Sequence, residues 1–121
     1  MKIDFIADTN FLIYVHEGNE LVFDFLDYSF GISFITEIEL LGHANLSKQD
    51  EQKLKSIINS CIYIDWNQRL KQETIRLRQT YQIKLPDAII AASSIILETP
   101  LITADKGFSS VKELDLVLLE F

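Results

Sequence analysis

Residues 84–103 read KLPDAIIAASSIILETPLIT, and the order of residue types in this stretch decides the fold. Pro86 stands where a helix tolerates a missing N–H, in its first turn. Residues 87–97 then put small and aliphatic side chains on almost every side, so this helix is expected to be nearly all buried. The apolar run 101–103 that follows has the length of a buried strand, as do runs at 3–7, 31–35, 61–64 and 115–119. Longer segments with helical periodicity separate these five runs. Ser47, with Asp50 three residues on, opens one helix ahead of Leu54, Ile57 and Ile58. Residues 67–81 set Leu70, Thr74, Leu77 and Tyr81 on one stripe of another. Arg69 and Arg76 flank that stripe on one side and Lys71 and Arg78 on the other, and with Lys84 they form the chain's main basic concentration. Their stems are read as snorkelling along a core helix, with contact to nucleic-acid phosphate as the other reading. Strands alternating with helices predict an α/β fold, a three-layer α/β/α sandwich around a mainly parallel five-stranded sheet. In such sheets ligands bind outside the carboxyl ends of the strands.

The 121 residues fit one domain, 1–121, and 48% hydrophobic against 24% charged residues is the composition of a globular core. One cysteine, Cys61, closes no internal disulfide, and with His16 and His43 it gives no cluster at zinc spacing. No apolar run reaches the roughly 18 residues of a membrane span, and the opening MKIDFIAD meets an acid too soon for a secretory signal, so a soluble, cytoplasmic protein is expected. Net charge is −7, unevenly spread: residues 3–47 hold eight acids and no Lys or Arg. Glu17, Glu20, Asp24 and Asp27 are read as solvating helix faces. An acidic third is a poor general nucleic-acid surface and suits metal ions or a basic partner better.

Four acids fall where a sheet's carboxyl edge passes into a loop or helix: Asp8 in FIADTN, Glu39 in SFITEIELLG, Asp87 in KLPDAIIAAS and Asp105 in LITADKGF. Each has an ordinary explanation, since acids in a first helical turn favour the helix dipole, and Thr36 with Glu39 also matches a capping box. Asp87, however, must enter a helix that is otherwise almost wholly apolar, which is costly unless the carboxylate is paired or bound to a cation. Four carboxylates at one edge repel, and a hard divalent cation relieves the repulsion; all-oxygen ligation selects magnesium or manganese.

In this order, DTN, TEIELLG, LPDAIIAA and ITADKGF resemble the PIN domain family, most closely its VapC-type toxin branch, over residues 4–108. The resemblance implies the sheet order 3-2-1-4-5 and a metal-dependent endoribonuclease, the toxin of a toxin–antitoxin pair, that cuts RNA to 5′-phosphate and 3′-hydroxyl ends. Carried over by motif, Asp8, Glu39, Asp87 and Asp105 are the catalytic and Mg²⁺- or Mn²⁺-binding acids, with Asn10 and Thr103 as supporting polar groups. Many relatives carry a further Asp where this chain has Gly107, which leaves Asp105 to serve alone. Asn10 is read equally as a helix cap and Thr103 as a strand former. Glu37 is left off the site, because a spacing of two from Glu39 points it to another face.

A cognate antitoxin and a homodimer are the partners the resemblance implies, besides RNA. Eight of the thirteen aromatic residues lie within the first 34 positions, and residues 11–28, read as a helical region, are apolar on too many sides for one core stripe. That excess reads as a groove or dimer surface, or as a large ordinary core. Two alternatives belong to other classes. In a phosphoacceptor signalling module Asp65 would be the phosphorylated residue, but Thr9 and Asn10 stand where a second acid is expected. In an inert PIN-like binding domain the intact quartet would have no use. Acid–base cleavage through His16 and His43 would leave cyclic phosphate ends.

Overall fold

The computed structural model describes residues 2–120. β1 (Phe5–Ala7), β2 (Phe30–Ser33), β3 (Ile62–Ile64), β4 (Leu101–Thr103) and β5 (Leu116–Leu118) form one sheet in the order β3-β2-β1-β4-β5. Every pairing is parallel, with Ile6 opposite both Gly31 and Leu101 in the centre. The helices are α1 (Thr9–Glu17), α2 (Phe34–Leu41), α3 (Lys48–Asn59), α4 (Gln68–Thr80) and α5 (Leu85–Ile96).

Alternation along the central strands builds two cores. Ile6 and Leu101 face one side, where they meet Leu70 and Leu77 of α4 and Ile90, Ala91 and Ala92 of α5. Ala7 and Ile102 face the other, where they meet Phe11 and Leu12 of α1, Leu40 of α2 and Leu54 and Ile58 of α3. The α/β/α sandwich and the strand order are therefore as expected. Half of α5 is fully buried, from Ala88 to Ser94 with Ile89 partly covered, whereas Leu85 at its start is exposed. Its two buried hydroxyls bond within the chain, Ser93 to the Ile89 carbonyl and Ser94 to the Thr99 carbonyl.

The structure corrects several local expectations. Phe34 and Ile35 belong to α2 and not to the second strand, which instead begins at Phe30. The cap of α2 is Ser33, whose hydroxyl accepts from the Ile35 N–H, so Thr36 and Glu39 form no capping box. Asn10 does not cap α1, because Asp8 does so by accepting from Phe11 N–H at 2.8 Å. Ser47 and Asn67 cap α3 and α4 through bonds from Asp50 and Leu70 N–H.

Residues 11–28 form no continuous helix. Gly18, at φ 71°, ends α1 in the left-handed conformation that glycine adopts without a Cβ penalty, and a 3-10 turn over Glu20–Phe25 follows. This break lets the aromatic excess pack on itself. Phe5 makes edge contacts with Phe25 and Tyr28, and Phe11 lies 5.0 Å from Phe30 by ring centroid. Phe23, Leu26 and Tyr28 remain exposed.

Candidate metal centre

Parallel strands deliver their carboxyl ends to one edge, and β1 and β4 are neighbours, so the residues after them meet. Asp8 follows β1, is only 3% exposed and accepts the Thr103 hydroxyl of β4 on its second oxygen. Thr103 in turn accepts the Asp105 N–H at 2.9 Å, so one hydroxyl links two of the acids. Asp105 caps a 3-10 turn, Lys106–Ser110, by accepting from Gly107 N–H. A Cβ at Gly107 would lie 3.0 Å from an Asp105 carboxylate oxygen, so glycine here leaves Asp105 room to fold back onto the Gly107 N–H.

Glu39 enters from α2. Thr9, the first residue of α1, donates to its carboxylate at 2.6 Å and lies 3.3 Å from the Thr36 hydroxyl, which ties α1 to α2 beside the site. Asp87 sits in the first turn of α5, half-buried. A cleft of roughly 100 Å³ is lined by Asp8, Thr9, Asn10, Glu39, Asp87 and Ile90. Asp87 also borders a second cleft with Asp105, Gly107 and Lys84.

Electrostatics ties the four acids together. Burial first, and then the charges of Asp105 and Asp87, push the Asp8 carboxyl up to about 6 against the hydrogen bonds from Thr103 and Phe11. Asp87 is also raised, first by burial and then by Asp105 and Glu39, with Lys84 opposing. Asp105 thus acts on both Asp8 and Asp87, and Glu39 acts on Asp87.

Among the described residues, no three His, Cys, Asp or Glu side chains stand close enough to enclose an ion. Asp8, Glu39 and Asp87 line one cleft and Asp87 and Asp105 the adjoining one, so the carboxylates neighbour each other but do not converge on a point. What fits a hard divalent cation is the donor chemistry: an all-oxygen set, no imidazole or thiolate on the cleft, and a raised Asp8 whose ionisation a cation would favour.

Other residues take different roles. Glu37 accepts from the Tyr63 hydroxyl at 3.1 Å, away from the cleft. His16 lies 3.3 Å from Asp50 on α3, and neither histidine lines the acidic cleft. Asp65 follows β3 at the sheet's edge, and a strand order with β1 central differs from that of phosphoacceptor modules, which removes that reading. Arg76 is held by Glu73 and Glu113. Lys71 lies over an apolar groove shared by Phe34, Trp66, Ile75 and Leu85, consistent with a snorkelling stem. Thr9 escaped the sequence reading, although its place between Asp8 and Asn10 in DTN was the available signal.

A family model described as PIN domain matches residues 5–114. No curated protein matches the chain in sequence. Among solved structures, a toxin–antitoxin complex from Klebsiella pneumoniae superposes with a TM-score of 0.81 at 28% identity, covering 93% of this chain and 95% of that one. VapBC2 from Rickettsia felis, solved bound to a DNA fragment from its promoter, gives 0.84 at 22% identity over 96% and 98%. VapBC-1 from nontypeable Haemophilus influenzae gives 0.80 at 21% over 94% and 96%. At such identities the last two speak for the fold alone.

Proposed function

This chain belongs to the PIN domain family, and from that membership and its coupled acidic cleft we propose that it is a metal-dependent endoribonuclease, the toxin of a toxin–antitoxin pair. The observation that supports this reading is the placement of Asp8, Glu39 and Asp87 on one cleft at the carboxyl edge of the sheet, with Asp105 beside Asp87 on the adjoining cleft. Those four acids are the residues that would hold Mg²⁺ or Mn²⁺. When bound, such an ion offsets their repulsion and supplies Lewis-acid activation of water and phosphate. The chain's own part is orientation: Thr103 fixes the Asp8 carboxylate, Thr9 fixes Glu39, and the α1 N-terminus donates Phe11 N–H to Asp8.

The partner follows from similarity to solved toxin–antitoxin complexes and from two exposed apolar surfaces. One is the groove of Phe34, Trp66, Ile75 and Leu85; the other is Phe23, Leu26 and Tyr28, set among the acids of the first third. An antitoxin segment that is apolar and basic complements both, and a second copy of the chain can cover part of the same excess. Co-expression with the neighbouring small reading frame is expected to yield a defined complex and to relieve toxicity. A lone chain that is monomeric, non-toxic and indifferent to that neighbour would contradict the partner reading.

End-group analysis tests the nuclease reading. RNA cut by the purified chain with Mg²⁺ or Mn²⁺ is expected to carry 5′-phosphate and 3′-hydroxyl ends. Cyclic 2′,3′-phosphate ends would overturn it in favour of metal-free acid–base cleavage.

A further inference from the structure

A substrate with a charge on every nucleotide has to be held against four carboxylates, so the cleft needs a cation that the protein has not already neutralised. Lys84 meets that need. It is exposed, directly precedes α5, and lines the second cleft, of about 160 Å³, with Gln82, Ile83, Asp87, Asp105 and Gly107. Among the described residues its ammonium closes no ion pair within 4 Å, and its position as the cap of α5 uses no side-chain hydrogen bond. Its charge nevertheless reaches Asp87, where it opposes the neighbouring acids. The other members of the basic concentration are placed differently: Arg76 is engaged by Glu73 and Glu113, Lys71 covers the apolar groove, and Arg69 and Arg78 line neither cleft.

We propose that Lys84 is a substrate-binding residue that holds a backbone phosphate of the RNA in the cleft it shares with Asp87 and Asp105. The assignment rests on the nuclease reading above. It places the strand across Asp87, with the acidic cleft on one side and the anchored phosphate on the other.

The test is anisotropy of a fluorescein-labelled single-stranded RNA of mixed sequence, titrated with Asp8→Asn protein so that binding is separated from cleavage. Adding Lys84→Ala is expected to weaken binding about five-fold at low salt and to reduce the slope of log affinity against log salt by about 0.7, the value of one phosphate contact on a single strand. Lys84→Arg should restore both. In the otherwise native chain, Lys84→Ala should raise KM far more than it lowers kcat. Circular dichroism checks that the variants fold. Unchanged affinity and salt slope in Lys84→Ala would overturn the proposal, and a shifted pH profile of cleavage alongside them would assign Lys84 only to balancing Asp87. If the native chain binds RNA through Lys84 but cuts none, the nuclease reading fails and the phosphate contact stands.

Discussion

Asp8 carries a conflict: a carboxylate that is almost fully buried, yet one that the proposed metal site needs in its charged form. Its folded value of about 6 lies above the ordinary 3.8, so the folded chain keeps this proton after the unfolded chain has lost it. The protonated form favours folding fully below about pH 4, and that contribution is lost as pH rises through about 6. The loss is on the order of 2–3 kcal/mol. Asp8→Asn removes it while keeping the Phe11 bond, because the amide oxygen still accepts and the Thr103 hydroxyl turns from donor to acceptor. Cation-free Asp8→Asn is therefore expected to be more stable than the native chain at pH 8, with the gap closing toward pH 4, as urea denaturation at several pH values will show. A native chain more stable at pH 8 than at pH 5, with no such gap, would contradict the assignment. Thr9→Val is the second prediction at this scale. It unties Glu39 from α1 with little loss of volume, so RNA cleavage is expected to fall about ten-fold or more while the melting temperature moves little. The four acids were legible because strand ends and helix starts are marked in the sequence. The bond from Thr9 was not, since it joins residues 30 apart that only the packing of α1 against α2 brings together.

Elements were legible where their ends carry local chemistry. Ser47 and Asn67 each accept a backbone N–H three residues on, which is the pattern their side chains announce. Asn67→Ala is expected to cost about 1 kcal/mol in denaturant unfolding without changing cleavage, because α4 packs on the sheet through Leu70 and Leu77 and its cap lines neither cleft. Phe34 and Ile35 were misplaced because a short apolar run has no period of its own. Only Ser33, turning its hydroxyl onto Ile35 N–H, marks the change from strand to helix there. The break after α1 was marked by Gly18, but the aromatic residues around it suggested a continuous apolar helix. Packing of Phe5, Phe11, Phe25, Tyr28 and Phe30 on each other needed the turn and strand geometry to be seen.

At the scale of the whole molecule, alternation of strands and helices predicts the layers but not the order of strands, which came from resemblance and is found as β3-β2-β1-β4-β5. The order matters chemically, since only with β1 beside β4 does Thr103 reach Asp8 and bring Asp105 with it. The apolar groove by Trp66 lay outside any sequence signal, because its walls come from α2, α4, α5 and the segment after β3. The central claim is that four acids, two on the helices α2 and α5 and two just after β1 and β4, act as one cation-dependent site. It is tested most directly by the rate of RNA cleavage against added Mn²⁺, measured for the native chain and for Asp8→Asn. The account expects no cleavage in chelator, a saturable rise with Mn²⁺ for the native chain, and a loss of at least about a hundred-fold for a well-folded Asp8→Asn. Cleavage that persists in excess chelator, or an Asp8→Asn protein that cuts at the native rate, would contradict it.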